Sequence, residues 1–479
     1  MINSLISVFK PSYPRVLVYM LQSTEYQAGP YLRWFWRTQN FGTVMKRRTL
    51  EPTRPARLLL LAVRLGMLLQ IITGIVLIIL GLTGHLFAGV PFGLALLIAY
   101  PVIWAHLLVV PMELGRILIS QPAERKLVAA SHQIFADHPG IKIAVAGSYG
   151  KTSMKELLLT VLSQGLNVAA TPANKNVSVS HAYFARKLTG REDVLVIEYG
   201  EGAPGDVTRF ASITQPTHAV ITGLAPAHLD QYKTLQAAGD DIFSLASFVS
   251  ADKLYVNSDS PDTALFMQAG YQTFSNGGAL GWKVSSARTT VSGTQFSLSK
   301  GKRKLLLASG LVGRHQVGFL AYVAAMALEL GLTEAQVKAG LAATKPFEHR
   351  MQPYQLGGAW VIDDTYNGNL EGVRAGTELL RDLDASRKIY VTPGLVDQGE
   401  ESARVHTEVG QLIAAAQPDI VVLMQNSATA SIVEGLESAA YKGEIRIESQ
   451  PLEFYVNLKH FVAAGDLVVM QNDWTDNYV

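Results

Sequence analysis

The chain contains no cysteine, which excludes a disulfide framework, a thiolate metal site and a cysteine nucleophile. Charge is also scarce: 17% of the 479 residues are Asp, Glu, Lys or Arg, and residues 65–112 contain none. This charge-free stretch is too long for one membrane span of roughly 20 residues and suits two. The sequence GLTGHLFAG at 81–89 supplies a turn, so we expect a transmembrane helical hairpin over about 58–82 and 86–112. A buried hairpin of a soluble protein is the competing reading, and the unbroken apolar length speaks against it. No basic start, apolar core and small-residue site follow one another near Met1, so a cleavable signal peptide is not expected.

Charge gives the hairpin an orientation. Residues 1–57 carry nine Lys or Arg against Glu25 and Glu51, and Arg116, Arg125 and Lys126 follow the second span. The positive-inside rule then places both ends in the cytoplasm. The basic arm is expected to lie on anionic lipid, with Trp34, Phe35, Trp36 and Phe41 at headgroup level. Nucleic-acid binding is the competing reading of the arm, and its place beside membrane spans favours lipid. The formal net charge of +2 says little about partners, because the arm and a mildly acidic remainder cancel.

Beyond residue 112 the pattern changes. A connecting helix is expected over 113–135. Apolar strand runs then alternate with amphipathic helices, the α/β pattern of parallel sheets. Strands are expected at 141–146, 194–198, 218–222, 254–257, 360–363, 388–392, 420–424 and 466–471. Helices are expected at 317–330, 333–344 and 371–383. Residues 282–307 read as an inserted β-hairpin. The boundary between two α/β units is placed near Pro346.

The richest local signal is IKIAVAGSYGKTS at 141–153. A strand runs into Gly147-Ser148-Tyr149-Gly150, and Lys151-Thr152-Ser153 open a helix. Glycine lets a backbone approach an anion, and a helix N-terminus adds partial positive charge. Lys151 can reach outer phosphates, and the Thr152 hydroxyl can bind Mg²⁺. Val145 stands where the usual phosphate-loop pattern has its first glycine, leaving G-x-x-G-K-T.

Further chemistry sits at other strand ends, where ligands of parallel sheets gather. Glu198 closes a strand in VIEYGEGAPGD and suits Mg²⁺; Glu201 and Asp206 read as solvated loop acids. His228, in GLAPAHLDQY, is a metal ligand or a substrate contact. In VIDDTYNGN at 361–369, a strand-end Asp can hold a ribose hydroxyl pair, or the cluster is a helix-capping turn. No guanine-reading Asn-Lys-x-Asp sequence accompanies the phosphate loop.

From about Gly140 onward these pieces, in order, resemble the Mur ligase family of ATP-dependent amide-forming enzymes. The matching pieces are AGSYGKTS, TPANKN at 171–176, VIEYGEGAPGDV, ITGLAPAHLDQY, YVNSDSP, GRHQV, EHRM, DDTYNGN and GEESARVHTEVG. The similarity is greatest to the branch that adds D-alanyl-D-alanine to a UDP-muramoyl-tripeptide. It implies an α/β architecture with a phosphate-loop central domain (139–345) and a Rossmann-like C-terminal domain (346–479), which the basic arm (1–57), the hairpin (58–112) and a linker helix (113–138) precede.

The resemblance also implies roles. ATP and Mg²⁺ are the cofactors, with Lys151 on the β/γ phosphates, Thr152 and Glu198 on one Mg²⁺ and His228 on a second. Arg350 would reach the phosphates and Asp364 the ribose. His315 and Gln316 would lie near the nucleotide, with Tyr366, Asn367 and Asn369 lining the cleft. Asn174 and Asn176, in TPANKN, would meet the substrate. The partners implied are a muramoyl-peptide acceptor, UDP- or lipid-linked, and an amino acid or dipeptide amine.

The departures are also specific. Gly239 stands where the family's carbamylated lysine is expected, with Asp240 or Asp241 as partial substitutes. The family's His-Asn-x-x-Asn reads His315-Gln316-Val317-Gly318-Phe319, and a C-terminal Lys-Gly-Ser element reads MQNDWTDNYV. The hairpin occupies the place of the domain that grips the UDP moiety. A ligase for another envelope or polyglutamate-type acceptor, or an inactive nucleotide-binding scaffold, remains an alternative.

Overall fold

The computed structural model describes residues 7–24, 26–38, 41, 44, 50–173, 175–226, 229–366, 368–396, 398 and 401–472. The chain forms two compact units, residues 1–125 and 126–479.

The first unit is helical. Helix Arg54–Leu82 starts on a Thr53 side chain that accepts from the Ala56 N–H, with proline in its first turn. At 29 residues it extends about 43 Å at 1.5 Å per residue. It packs against Gly89–Leu107 through small residues: a Cβ at Gly93 would lie 3.0 Å from the Ile78 nitrogen, and one at Gly81 3.0 Å from the Gly89 carbonyl carbon. Such close backbone approach is a usual device of helices packed in lipid. Gln70 is satisfied inside the hairpin, accepting from Trp104 Nε1 at 2.8 Å and donating to the Leu96 carbonyl at 3.2 Å. The outer faces expose Leu65, Leu69, Ile72, Ile79, Phe92 and Ile98. By length and composition, Arg54–Leu82 and the helical run Gly89–Asp137 are long and apolar enough to cross a membrane.

The arm differs from expectation. Phe35 and Phe41 are buried with Tyr13 in one cluster, against which the half-buried Trp34 packs, because edge-to-face rings at 5.4–5.5 Å gain more by packing together. Of the four aromatics only Trp36 is strongly exposed, at 68%. The expected second span also ends as a regular α-helix at Leu107, and the backbone then continues through Val109–Gly115, a π-helical segment at Arg116–Ser120 and Gln121–Asp137.

The second unit holds two sheets. The first is built from β1 (Ile141–Ala146), β2 (Val168–Ala170), β3 (Val194–Glu198), β4 (His218–Ile221), β5 (Leu254–Asn257), β6 (Gln272–Ser275), β7 (Gly278–Ala279), β8 (Trp282–Thr290), β9 (Gly293–Lys300) and β10 (Arg303–Ser309). Their order is β10-β9-β8-β7-β6-β5-β4-β1-β3-β2. The strands from β2 through β6 are parallel, and those from β6 outward antiparallel. The second comprises β11 (Gln352–Leu356), β12 (Ala359–Asp364), β13 (Arg387–Thr392), β14 (Ile420–Met424), β15 (Glu444–Glu448) and β16 (Asp466–Gln471), ordered β11-β12-β16-β13-β14-β15. Only β11 is antiparallel there.

Central strands are buried on both faces and read as continuous apolar runs, which is why β1, β3, β5, β14 and β16 coincide with expectation. The expected hairpin at 282–307 is instead a three-stranded meander, β8-β9-β10, continuing the large sheet. Each α/β layer has its own core, with Leu157, Leu158, Phe274 and Tyr322 in the first sheet and Ile362, Tyr390, Val409 and Leu423 in the second.

Helices Ser402–Ala416 and Thr429–Ser438 meet at two glycines, and a Cβ on Gly410 would stand 2.8 Å from Gly435 Cα. Gly410→Leu is therefore expected to cost about 1–3 kcal/mol by overpacking, seen as a lower thermal midpoint of the full chain. An unchanged midpoint would contradict this packing.

Candidate active site

β1 is paired on both sides, to β3 and to β4, so three strand ends open at one edge of the sheet. The loop after β1 needs glycine twice. Gly147 has φ 138 and Gly150 φ 74, and a Cβ on Gly147 would lie 2.8 Å from the Gly223 carbonyl oxygen. The loop is stapled to its neighbour: Ser148 N–H donates to the Gly223 carbonyl at 2.9 Å, and Thr222 Oγ1 donates to the Ala146 carbonyl at 3.1 Å and to that of Tyr149. Tyr149 packs against Gly223, and burial pushes its hydroxyl up to about 12. No side chain caps helix Lys151–Leu162, whose first-turn N–H groups have no partner within the helix. Ser153 is buried in that first turn.

Lys151 Nζ donates to the Gly147 carbonyl at 2.5 Å and stands 2.7 Å from Glu201. Glu201 is 7% exposed, so it is a buried partner of Lys151 and not a solvated loop acid. Thr152 Oγ1 donates to Glu198 Oε1 at 3.0 Å, and Asn176 Nδ2 to the same oxygen at 3.3 Å. Glu198 is almost fully buried. Its N–H donates to Thr171 Oγ1 at 3.1 Å, and its carbonyl accepts from His181 Nε2 at 2.8 Å. Burial holds His181 down to about 4, so the ring is neutral and its Nε2 carries the proton. His181 escaped sequence reasoning because it lies in no pattern with a chemical signature, and the roles of Thr171 and Glu201, though both lie in the matching pieces, appear only in the fold.

A second group forms around β12. His349 and Met351 both have positive φ, 58 and 44, a turn that presents Arg350 between them. His349 Nδ1 lies 2.7 Å from Asp363 Oδ2, and Met351 N–H donates to Asp364 Oδ1 at 3.1 Å. The Arg350 guanidinium stacks 4.7 Å above the Tyr366 ring. Gln471 Nε2 donates to Asp364 Oδ2 at 2.7 Å. Burial pushes Asp364 up to about 7, offset in part by Gln471, Met351 N–H and Arg350. Asn369 serves its helix: its Oδ1 caps Leu370–Asp382 by accepting from Gly372 N–H at 2.9 Å. His315 and Gln316 bond to each other at 2.8 Å, and burial pushes His315 down to about 4. Phe319, two residues after Val317, lays its ring against Gly150, 2.7 Å from where a Cβ would be. His228, Asn174 and Asn367 lie outside the described residues.

The residues expected as partial substitutes for the missing lysine are each engaged with other partners. Asp241 is buried and engaged, accepting from Gly205 N–H at 2.9 Å and Tyr232 OH at 2.7 Å. Asp240 is exposed and accepts from Gln236 on its own helix. At Gly239 a Cβ would run into the Phe266 ring, which stacks on Phe243 at 5.0 Å.

Comparison with known proteins fits this geometry. The family model of the Mur ligase middle domain matches residues 145–327, and that of the Mur ligase glutamate ligase domain matches 349–471. Over these residues the chain belongs to the Mur ligase family. It is 28% identical over 291 residues to the UDP-N-acetylmuramoyl-tripeptide--D-alanyl-D-alanine ligase of Escherichia coli K12, covering 59% of this chain and 64% of that protein. It is 30% identical over 308 residues to the Synechocystis ligase of the same name, covering 62% of this chain and 66% of that one. The chain thus spans less than two thirds of the length of these relatives. In fold it resembles MurF from Acinetobacter baumannii (TM-score 0.64, 21% identity, 73% of this chain and 77% of that one). It also resembles MurF from Thermotoga maritima in complex with ADP (TM-score 0.63, 22% identity, 73% and 80%).

The carboxylate of Glu198 is placed to take a cation. Its Oε2 is buried and receives no hydrogen bond, with the Lys155 ammonium 3.6 Å away, while Thr152 Oγ1 lies against its other oxygen. A carboxylate and a hydroxyl beside a phosphate loop are hard oxygen donors suited to Mg²⁺.

Asp364 gives a pH signature. A folded value near 7 exceeds the ordinary 3.8, so the native state binds the proton more readily. Stability then falls as pH rises between those values. Asp364→Asn cannot ionise, and its thermal midpoint should fall less than that of the wild type from about pH 5 to 7. Parallel curves would contradict the assignment.

Proposed function

We propose that this chain is a membrane-anchored, ATP-dependent amide ligase of peptidoglycan precursor synthesis, joining D-alanyl-D-alanine to a muramoyl-tripeptide. The observation that carries the reading is the grouping of Lys151, Thr152 and Glu198 at adjoining strand ends, in a chain whose relatives bear that name. Residues 139–345 would form the ATP-binding domain and 346–479 the closing domain, following linker 113–138.

The roles follow from charge and reach. A carboxylate is a poor electrophile, so it is first phosphorylated by ATP; the amine then attacks the acyl carbon, and phosphate leaves. The protein's task is to position the reactants and neutralise charge. Lys151 would neutralise the outer phosphates, within the amide cradle of Gly147–Gly150 and Ser153. Thr152 and Glu198 would hold Mg²⁺, which when bound offsets phosphate charge, and His228 would hold a second ion. Arg350 would bring positive charge from the closing domain, and Asp364 would hold the ribose. His315, Gln316 and Tyr366 would border the nucleotide. Asn174, Asn176, Asn367 and Asn369 would line the acceptor cleft, Asn369 through the amide nitrogen left over from its capping role.

The apolar hairpin would anchor the enzyme, with the basic arm and Trp36 on anionic lipid and the ligase domains in the cytoplasm. That location favours a lipid-linked acceptor as well as a UDP-linked one. The Phe266 ring at Gly239 favours one second reading, a nucleotide-binding scaffold that has lost turnover.

Purified full-length protein in detergent, given ATP and Mg²⁺, should release phosphate only when UDP-muramoyl-tripeptide and D-alanyl-D-alanine are both present. The product should carry the pentapeptide mass, and Lys151→Ala should abolish release. Nucleotide binding without turnover on either UDP- or lipid-linked acceptor would replace this reading with the scaffold.

A further inference from the structure

Lys155 lies one turn beyond Lys151 on the same helix face, and it is 0% exposed. A lysine is buried so completely only when its ammonium is fully engaged. Its Nζ donates to the Thr171 carbonyl at 3.0 Å and to the Ala173 carbonyl. It also stands 3.0 Å from Glu156 Oε1 and 3.6 Å from Glu198 Oε2. Two of these four partners are backbone oxygens of a single short segment.

That segment is not a relaxed turn. Ala173 has φ 47, a left-handed conformation unfavourable for a residue with a Cβ. The Ala173 side chain is exposed, so packing of its methyl group does not hold it there. The segment also leans on Glu198 from two sides, Thr171 Oγ1 accepting the Glu198 N–H and Asn176 Nδ2 donating to Oε1. Residues 171–173 and 175–176 therefore form a wall beside the carboxylate at the phosphate loop, and Lys155 ties that wall to the helix.

We propose that Lys155 is a positioning residue that latches residues 171–173 to the nucleotide-binding helix and so sets the place of the acceptor carboxylate. An acceptor carboxylate must stand against the outer phosphate, and the segment bordering Glu198 borders that place. The acceptor part rests on the ligase reading; the latch itself does not.

Two readouts separate these parts. The first is hydrogen exchange in the full chain in detergent. Lys155→Met should raise exchange across 171–177 while leaving β1 and helix Ser402–Ala416 protected. Ala173→Val loads the same backbone strain from an exposed position and should do likewise, which covers the case where Lys155→Met fails to fold. Unchanged exchange at 171–177 in a folded variant overturns the latch.

The second readout is kinetic. Lys155→Met should raise the acceptor KM about tenfold, in the range for groups acting through another residue, and by more than it changes the Kd for MgATP. Lys155→Arg, which keeps the charge, should recover part of the loss. A higher Kd for MgATP with unchanged acceptor KM overturns the positioning role. Absence of turnover in the wild type overturns the ligase reading and leaves the exchange result to decide the latch.

Discussion

The parallel pairing of β1 between β3 and β4 is the constraint on which the site depends. Its register sets Val145 opposite Glu198 and Ala146 opposite Ile221. The chain thus leaves all three strands at the same level, and the glycine loop, Glu198 and Thr222 emerge together. The hydrogen bonds of Thr222 to Ala146 and Tyr149, and of Thr152 to Glu198, then join side chains distant in sequence. A one-residue slip would turn Glu198 to the other face of the sheet.

Around that core, two lysines are set among three carboxylates, of which Glu198 and Glu201 are buried. Lys151 faces Glu201, and Lys155 faces Glu156 and Glu198. Breaking one partner of such a pair leaves an uncompensated buried charge, so these groups hold one another in place. The N-terminal unit solves a different problem with the same economy of polar groups. Gln70 is satisfied by Trp104 and the Leu96 carbonyl, while large apolar side chains such as Leu65, Leu69, Ile72 and Phe92 are exposed.

Much of this was legible from the residues. Strands buried on both faces announce themselves by uninterrupted β-branched and aliphatic runs, and the phosphate loop by glycines before Lys151 and Thr152. β2 has only three residues, and the edge strands β11 and β15, QPYQL and EIRIE, carry no apolar run to mark them. Lys155 was hidden because a lysine in an amphipathic helix reads as solvated, and only the fold brings the Thr171 and Ala173 carbonyls to it. Glu201 was misread for the same reason. Asn369 was ambiguous between cap and cleft, and its side chain does cap the helix. At Gly239 the missing side chain was visible, whereas the Phe266 ring filling its space depends on tertiary packing.

The central claim is that Thr152 and Glu198 complete a cation site at the phosphate loop. Calorimetric titration of ATP into the full-length protein, with and without Mg²⁺, tests it most directly, with Glu198→Gln alongside. The account predicts that Mg²⁺ strengthens nucleotide binding in the wild type and that this gain is lost in the variant, while metal-free binding persists. An equal Mg²⁺ effect in both proteins would contradict it.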